Sequence, residues 1–301
     1  MPTLMFAQSP TFFADIPVTN DFLVSPANKE LLIKPGETKS FSFRITNRTG
    51  GISNFFVDVE DIDASNYGDL NVASSGHNIL SSARNYLKYT QVNLVLAHGE
   101  TVEIPVTIAL PSYVADPSLY ALLTITARAN IGNTDVGTGA RILSRIGIPV
   151  LVRTSDERKG QGRLVNFGTA DGKSFFTKST ISFKISYENI GDVHIRPYGK
   201  ITFRNSLGRI TEVLEVEPWY VLPGVTRSRV IDWPSGPRFG YYSATLTMED
   251  GFGSESVSAQ TSLWILPYGV LTVFVFILIA GIIARGWIKR KGLRLKYQGN
   301  D

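Results

Sequence analysis

Side chains suited to chemistry are sparse in this chain. His77, His98 and His194 lie far apart, among turn and strand residues. A zinc site or a Ser-His-Asp relay would need them to converge with other ligands, and no spacing signals that. Asp58, Glu60, Asp61, Asp63 and Asp69 form an acidic run at a strand end. Hard oxygen ligands at this density suit Ca²⁺. The run lacks an Asp-x-Asp-x-Asp-Gly loop, so it reads as a solvated strand end. There is no Gly-x-Ser-x-Gly, no His-Glu-x-x-His and no phosphate-cradling glycine loop. The chain also has no cysteine, which excludes disulfides, thiolate catalysis and cysteine-ligated metals. The expectation is a protein that is not an enzyme, with no catalytic residue, no metal and no cofactor.

Aromatic residues are the next candidates. Trp219, Tyr220 and Trp233, with the pair Tyr241-Tyr242, concentrate in the later half. Exposed rings anchor protein partners or stack on sugars, so Trp219, Tyr220 and Trp233 are candidate partner-binding residues. The competing reading is that alternate rings fill a core. Asn47-Arg48-Thr49 matches a glycosylation sequon, and equally an ordinary turn after a strand.

The elements that would position these residues are strands. Phe41, Phe43 and Ile45 alternate with Ser42, Arg44 and Thr46, a period of two that puts three apolar side chains on one face. Lys34-Pro35-Gly36 and Gly50-Gly51 punctuate the pattern. Further strands are expected at 54–62, 92–96, 102–110, 120–127 and 141–152, with a polar loop over 63–85. This spacing predicts a β-sandwich. Residues 154–162 read as a charged, glycine-bearing linker. A second strand series follows at 180–187, 193–204, 210–217, 228–233, 241–249 and 254–263. Ile181, Phe183 and Ile185 repeat the earlier alternation. Each run follows a Thr-Lys-Ser and ends at an Asn before a Gly turn, so the two are expected to be equivalent strands of related sandwiches.

The C-terminal stretch carries a location signal. From Ser256 to Ala284 there is no charge. Then come Arg285, Lys289, Arg290, Lys291, Arg294 and Lys296. This pattern predicts a transmembrane helix with a basic cytoplasmic anchor, flanked by interfacial Trp264, Tyr268 and Trp287. The basic tail accounts for the formal net charge of +4; the rest holds 24 basic and 25 acidic residues, so nucleic acid is not an expected partner. Residues 1–15 are expected to be the remnant of a signal peptide.

Residues 31–47, reading Leu-Leu-Ile-Lys-Pro-Gly-Glu-Thr-Lys-Ser-Phe-Ser-Phe-Arg-Ile-Thr-Asn, resemble the opening of the first domain of WxL-interacting proteins. Residues 186–199, with Asn189-Ile-Gly and Pro197-Tyr-Gly, resemble a stretch of that family's second domain, and Val221-Leu-Pro-Gly224 a later turn. The loop 63–85 follows no pattern of the family. The resemblance implies a bacterial cell-surface protein with two immunoglobulin-like domains, a peptidoglycan-binding first domain, a host-factor-binding second domain and a C-terminal membrane helix.

The expected architecture is therefore all-β, with two tandem immunoglobulin-like β-sandwiches followed by one transmembrane α-helix. The sandwiches occupy 20–153 and 163–264, the linker 154–162, the membrane helix 265–288 and the cytoplasmic tail 289–301. The expected function is a single-pass membrane protein with its sandwiches outside, binding cell-wall glycan (peptidoglycan) or another surface protein as an adhesin or scaffold. Its partners would include the lipid bilayer. An accessory subunit of an envelope membrane complex is the alternative, and an enzyme with an unrecognised site the remote one.

Overall fold

A computed structural model describes residues 11–12, 16–63, 71–72, 81–89, 93–129, 143–156, 160–177, 180–234, 239–252 and 256–297. In chain order its strands are β1 (Thr11–Phe12), β2 (Asp21–Ser25), β3 (Lys29–Leu32), β4 (Thr38–Arg48), β5 (Ser53–Glu60), β6 (Ile62–Asp63), β7 (Asn71–Val72), β8 (Leu87–Tyr89), β9 (Asn93–Leu96), β10 (Glu100–Ala109), β11 (Ser118–Ala129), β12 (Leu143–Arg153), β13 (Gly162–Thr169), β14 (Phe175–Phe176), β15 (Ile181–Asn189), β16 (Tyr198–Asn205), β17 (Ile210–Val216), β18 (Thr226–Trp233), β19 (Gly240–Glu249) and β20 (Val257–Ile265). One long helix, α1 (Tyr268–Tyr297), closes the chain. The chain divides into two compact units. The first holds 1–162 together with 189–195 and 220–227, and the second holds the remainder.

In the first unit one sheet has the order β1-β10-β4-β2, with β8 also on β10. The other has the order β3-β12-β11-β5-β9. The alternation read in the sequence sets the faces. Phe41, Phe43 and Ile45 point inward from β4, and Phe55, Val57 and Val59 from β5. Their shared core takes in Ile104, Val106 and Ile108 of β10, Leu123 and Ile125 of β11, and Ile148, Val150 and Val152 of β12. Each such side chain contributes about 1.5–3 kcal/mol by leaving water. A smaller cluster of Ile62, Tyr120, Leu122, Leu151, Leu222 and Val225 packs on the opposite face of the β11–β12 pair.

The second unit sets a three-stranded sheet, β13-β15-β18, beside a five-stranded one, β14-β20-β19-β16-β17. Phe183, Ile185, Phe203, Trp233, Leu246 and Leu263 are fully buried. Gly199 of β16 lets the neighbouring strand approach closely: a Cβ there would lie 2.0 Å from the Thr247 carbonyl oxygen.

The sequence echo between the two strand series has a structural counterpart. Asn47 ends the apolar alternation of β4 and Asn189 that of β15, and both are fully buried. Asn47 Nδ2 donates to the carbonyls of Gly51 and Leu96, and its Oδ1 accepts from Thr49 N–H. Asn189 Nδ2 donates to the carbonyls of Val193 and Val221, and its Oδ1 accepts from Gly191 N–H. The same amide pins the same turn twice.

Several expectations change. The all-β sandwich architecture stands. Residues 193–197, read as part of a strand, are irregular, and β16 starts only at Tyr198. Its start follows Pro197, which cannot donate to a ladder. The strand β13 was not expected, because none of its residues is fully buried and its alternation is weak. The terminal transmembrane helix does not hold. The apolar run counted from Leu263 is split between two elements: β20 continues through Ile265, and Trp264 is a strand residue. The helix begins at Tyr268 and takes in the basic run. Its uncharged part is Tyr268 to Ala284, and the charged side chains that follow belong to the same helix. Among the described residues no helix is long and apolar enough to cross a membrane.

Candidate functional site

The strongest candidate is the outer edge of β12. Along its whole length β12 pairs antiparallel with β11, in one register from Ser118↔Arg153 to Arg128↔Leu143. On its other side β3 pairs in parallel with Val150 to Arg153 only. Among the described residues, nothing pairs with that side from Leu143 to Ile148.

Parity identifies the free groups. The Arg153 carbonyl accepts from Ile33 N–H on the outer side, 2.9 Å away. Thr154 N–H, one residue on, donates to the Pro117 carbonyl on the β11 side. In an unbroken strand successive residues alternate, so Leu143, Arg145, Gly147 and Pro149 direct their backbone groups outward. The Pro149 carbonyl is taken by Lys29 N–H at the end of the β3 pairing, which leaves, among the described residues, three N–H donors and three carbonyl acceptors on the open edge, those of Leu143, Arg145 and Gly147. Pro149 has no N–H, and its position fits the restriction of proline to unpaired strand edges.

The side chains at this edge divide by face. Ile146 lies on the face that Ile148 and Val150 bury in the core, yet it is 36% exposed while Ile148 is 1% exposed. The apolar face thus runs out of cover toward the start of β12. On the opposite face Arg145 pairs with Glu60 and donates to Thr124 Oγ1. Gly147 leaves room for Leu122, whose Cδ1 would lie 2.9 Å from a Cβ there. An open edge with an apolar row beside it can accept an extended segment by backbone pairing and side-chain burial.

The candidates chosen from sequence are dispersed. Trp233 is fully buried, stacked on Phe203 with centroids 3.9 Å apart, and its Nε1–H donates to Glu212 Oε2 at 2.7 Å. It is a core residue. Trp219 is half-buried, edge-on to Tyr187, with the Arg229 guanidinium over its ring. Tyr220 is half-buried and donates from its hydroxyl to Asn28 Oδ1. It belongs to the first unit, Trp219 and Trp233 to the second. Trp264 is 44% exposed on β20, beside Phe175 and Tyr241. Tyr268 and Trp287 are exposed on α1. Arg285 is exposed there too, and Lys289, Arg290, Lys291, Arg294 and Lys296 continue the same helix.

The acidic run is divided among separate partners. Asp58 accepts from Tyr89 Oη and Val59 N–H, Glu60 pairs with Arg145, and Asp61 accepts from Ser82 and faces Arg84. Asp63 lies in β6, while Asp69 and His77 fall outside the described residues. Among the described residues no group of three His, Asp or Glu side chains could hold a metal. His98 accepts from Gly50 N–H through Nδ1, and its Nε2 lies 2.9 Å from the Ile16 carbonyl. His194 is buried between the rings of Tyr120 and Tyr220, with Nε2 3.1 Å from Glu30 Oε1. Tyr120 accepts from His194 N–H and donates to Ser118 Oγ; its burial pushes the phenol pKa up. Burial likewise pushes Tyr187 up to about 12. The amide of Asn47 is fully used inside the fold, so the sequon there is a turn.

The residues of the open edge, Leu143 to Ile148, were read only as part of a strand. Edge status depends on sheet order, which a single strand's pattern does not carry. Pro149 within an otherwise apolar run was the available signal.

No family model matches this chain, and no curated protein does. Its fold is similar to that of solved fimbrial chaperones. The class 5 fimbriae chaperone CfaA is 14% identical over 82% of this chain and all of its own, with a TM-score of 0.38. The chaperone–tip adhesin pre-assembly complex CsuC–CsuE of Acinetobacter baumannii gives 12% identity over 79% of this chain and 97% of the matched one, with a TM-score of 0.40. The SafB chaperone complex with the SafA pilin of Salmonella enterica gives 9%, 79%, 95% and 0.38. These are not WxL-interacting proteins, and the resemblance to that family does not hold. Its motifs were a Pro-Gly turn, an alternating strand and an Asn-Gly turn, which any such sandwich contains. With it go the membrane-anchored adhesin that binds cell-wall glycan, the envelope-complex subunit and the single-pass location. The lipid bilayer and peptidoglycan likewise find no support as partners.

Proposed function

We propose that this chain is a non-enzymatic polypeptide-binding module that takes an extended segment of another protein onto the open edge of β12. One observation carries the reading: Leu143 to Ile148 has no strand partner on its outer side among the described residues, and Ile146 continues an apolar row there. A strand added at this edge would accept hydrogen bonds from Leu143, Arg145 and Gly147 and would cover Ile146. We read both units as immunoglobulin-like sandwiches, on the strength of the matching apolar alternations of β4 in the first and β15 in the second. The partner to test first is another surface protein, of the pilin or tip-adhesin kind seen with the SafB and CsuC chains. The test is co-purification with such a subunit. Ile146→Asp puts a charge on the row and should abolish capture without changing the far-ultraviolet circular dichroism. Capture that survives Ile146→Asp would refute the assignment.

A further inference from the structure

Gly147 lies on the open edge of β12, with Arg145 and Pro149 two residues to either side on the same face. Its backbone is not in the left-handed region, so no turn requires a glycine there. A glycine inside a strand weakens it and marks a place that something else approaches closely. Part of the space is taken from the β11 side, where Leu122 leans over the missing Cβ. Arg145 frames the rest. Its guanidinium turns back across the sheet to Glu60 and reaches Thr124 Oγ1 at 3.3 Å. Thr124 is the residue that β11 sets opposite Gly147. The Arg145 side chain is still 44% exposed, and Gly147 itself is exposed. From the open side Gly147 is thus a shallow gap with one aliphatic wall and one cationic wall.

We infer that this gap takes an aromatic ring of the incoming segment, carried by the residue set opposite Gly147. The inference rests on the β12 reading above and specifies which segment that edge selects. Aromatic residues on a neighbouring strand cover glycines at sheet edges. A ring reaches flat over the glycine backbone, where Leu122 leaves no depth for a branched chain. The Arg145 guanidinium is held edge-on by the Glu60 carboxylate and Thr124, so a face of it is free to stack on a ring. The segment residues before and after the ring point to the other face of the sheet. There they lie opposite Ile146 and Ile148, whichever way the segment runs, and bury best if apolar. The recognised pattern is therefore a ring between two aliphatic residues in an extended stretch.

The test is selection of displayed random peptides on the full chain, held in non-ionic detergent to cover the exposed apolar side chains of α1. Peptides retained by the chain and rejected by Ile146→Asp are the edge binders. They should share Phe, Tyr or Trp at one fixed position between two aliphatic residues. A synthetic copy with that ring changed to leucine should bind about three- to tenfold more weakly. Gly147→Ala fills the gap and should erase the difference between ring and leucine. Its Cβ would crowd Leu122, so Arg145→Gln is the second variant; it keeps the backbone and should shrink the difference by removing the cation. Edge binders without a fixed aromatic, or a ring advantage that either variant leaves intact, would overturn the inference and leave the β12 reading standing. Recovery of no peptide that Ile146→Asp rejects would end both.

Discussion

Replacing Asn189 by alanine isolates one buried amide on which an entire turn depends. The side chain is fully buried, donates to two carbonyls at 2.8 Å and accepts from Gly191 N–H at 2.9 Å. Alanine leaves two acceptors and one donor without partners. Each buried group so orphaned costs about 1–3 kcal/mol, partly relieved where water enters. The expected loss is about 3–4 kcal/mol, a large part of the roughly 5–15 kcal/mol that holds a domain together. Asn47 makes the same three contacts, so Asn47→Ala should cost about the same. Both residues lie in the first unit, so one transition reports both. The assay is urea unfolding followed by far-ultraviolet circular dichroism, comparing midpoints at constant slope; all four tryptophans lie in the second unit, so their fluorescence serves as the control. Asn189→Asp is the sharper variant. It keeps the shape but turns an acceptor toward two carbonyls, so its deficit should shrink as pH falls and the carboxyl gains a proton to donate. A loss below about 1 kcal/mol for Asn189→Ala would refute this hydrogen-bond accounting.

Alkali should weaken the fold through its buried phenols. Burial raises the pKa of Tyr187 from 10.0 to about 12, so the unfolded chain releases that proton first. Its contribution is complete below pH 10 and is lost as pH rises to about 12. This amounts to about 2–3 kcal/mol, and Tyr187→Phe should flatten that slope in pH-dependent unfolding. Gly199→Ala should destabilise the second unit by more than about 1 kcal/mol, because its Cβ would collide with the Thr247 backbone; an unchanged midpoint would contradict that contact. Trp233→Ala should cost about 3–5 kcal/mol by emptying the stack on Phe203, whereas a change at a surface anchor would leave the melting temperature nearly unchanged.

Much of the fold was legible because it rests on local alternation. Phe43 and Ile45, and Phe183 and Ile185, announced their strands and faces, and the Asn-Gly endings announced the paired turns. The alternative that rings fill the core was right for Trp233, since its strand places every second residue inward. What was not legible depends on neighbours. Trp264 looked like a membrane-interface residue because the apolar character of β20 runs without a break into α1, and composition alone cannot mark where a strand stops. The β12 edge was hidden for a related reason: its own pattern is that of any buried strand, and among the described residues the short pairing of β3 leaves Leu143 to Ile148 open. Glu60 and Arg145, far apart in the chain, meet only because β5, β11 and β12 are neighbours.

Backbone hydrogen exchange along β12 tests the open edge most directly. In the free chain the amides of Ser144, Ile146 and Ile148, which face β11, should exchange slowly, and those of Leu143, Arg145 and Gly147 quickly. Adding a surface-protein subunit that binds should slow those three and leave the others unchanged. Protection of Arg145 and Gly147 already present in the free chain, or no change in them on binding, would contradict the account.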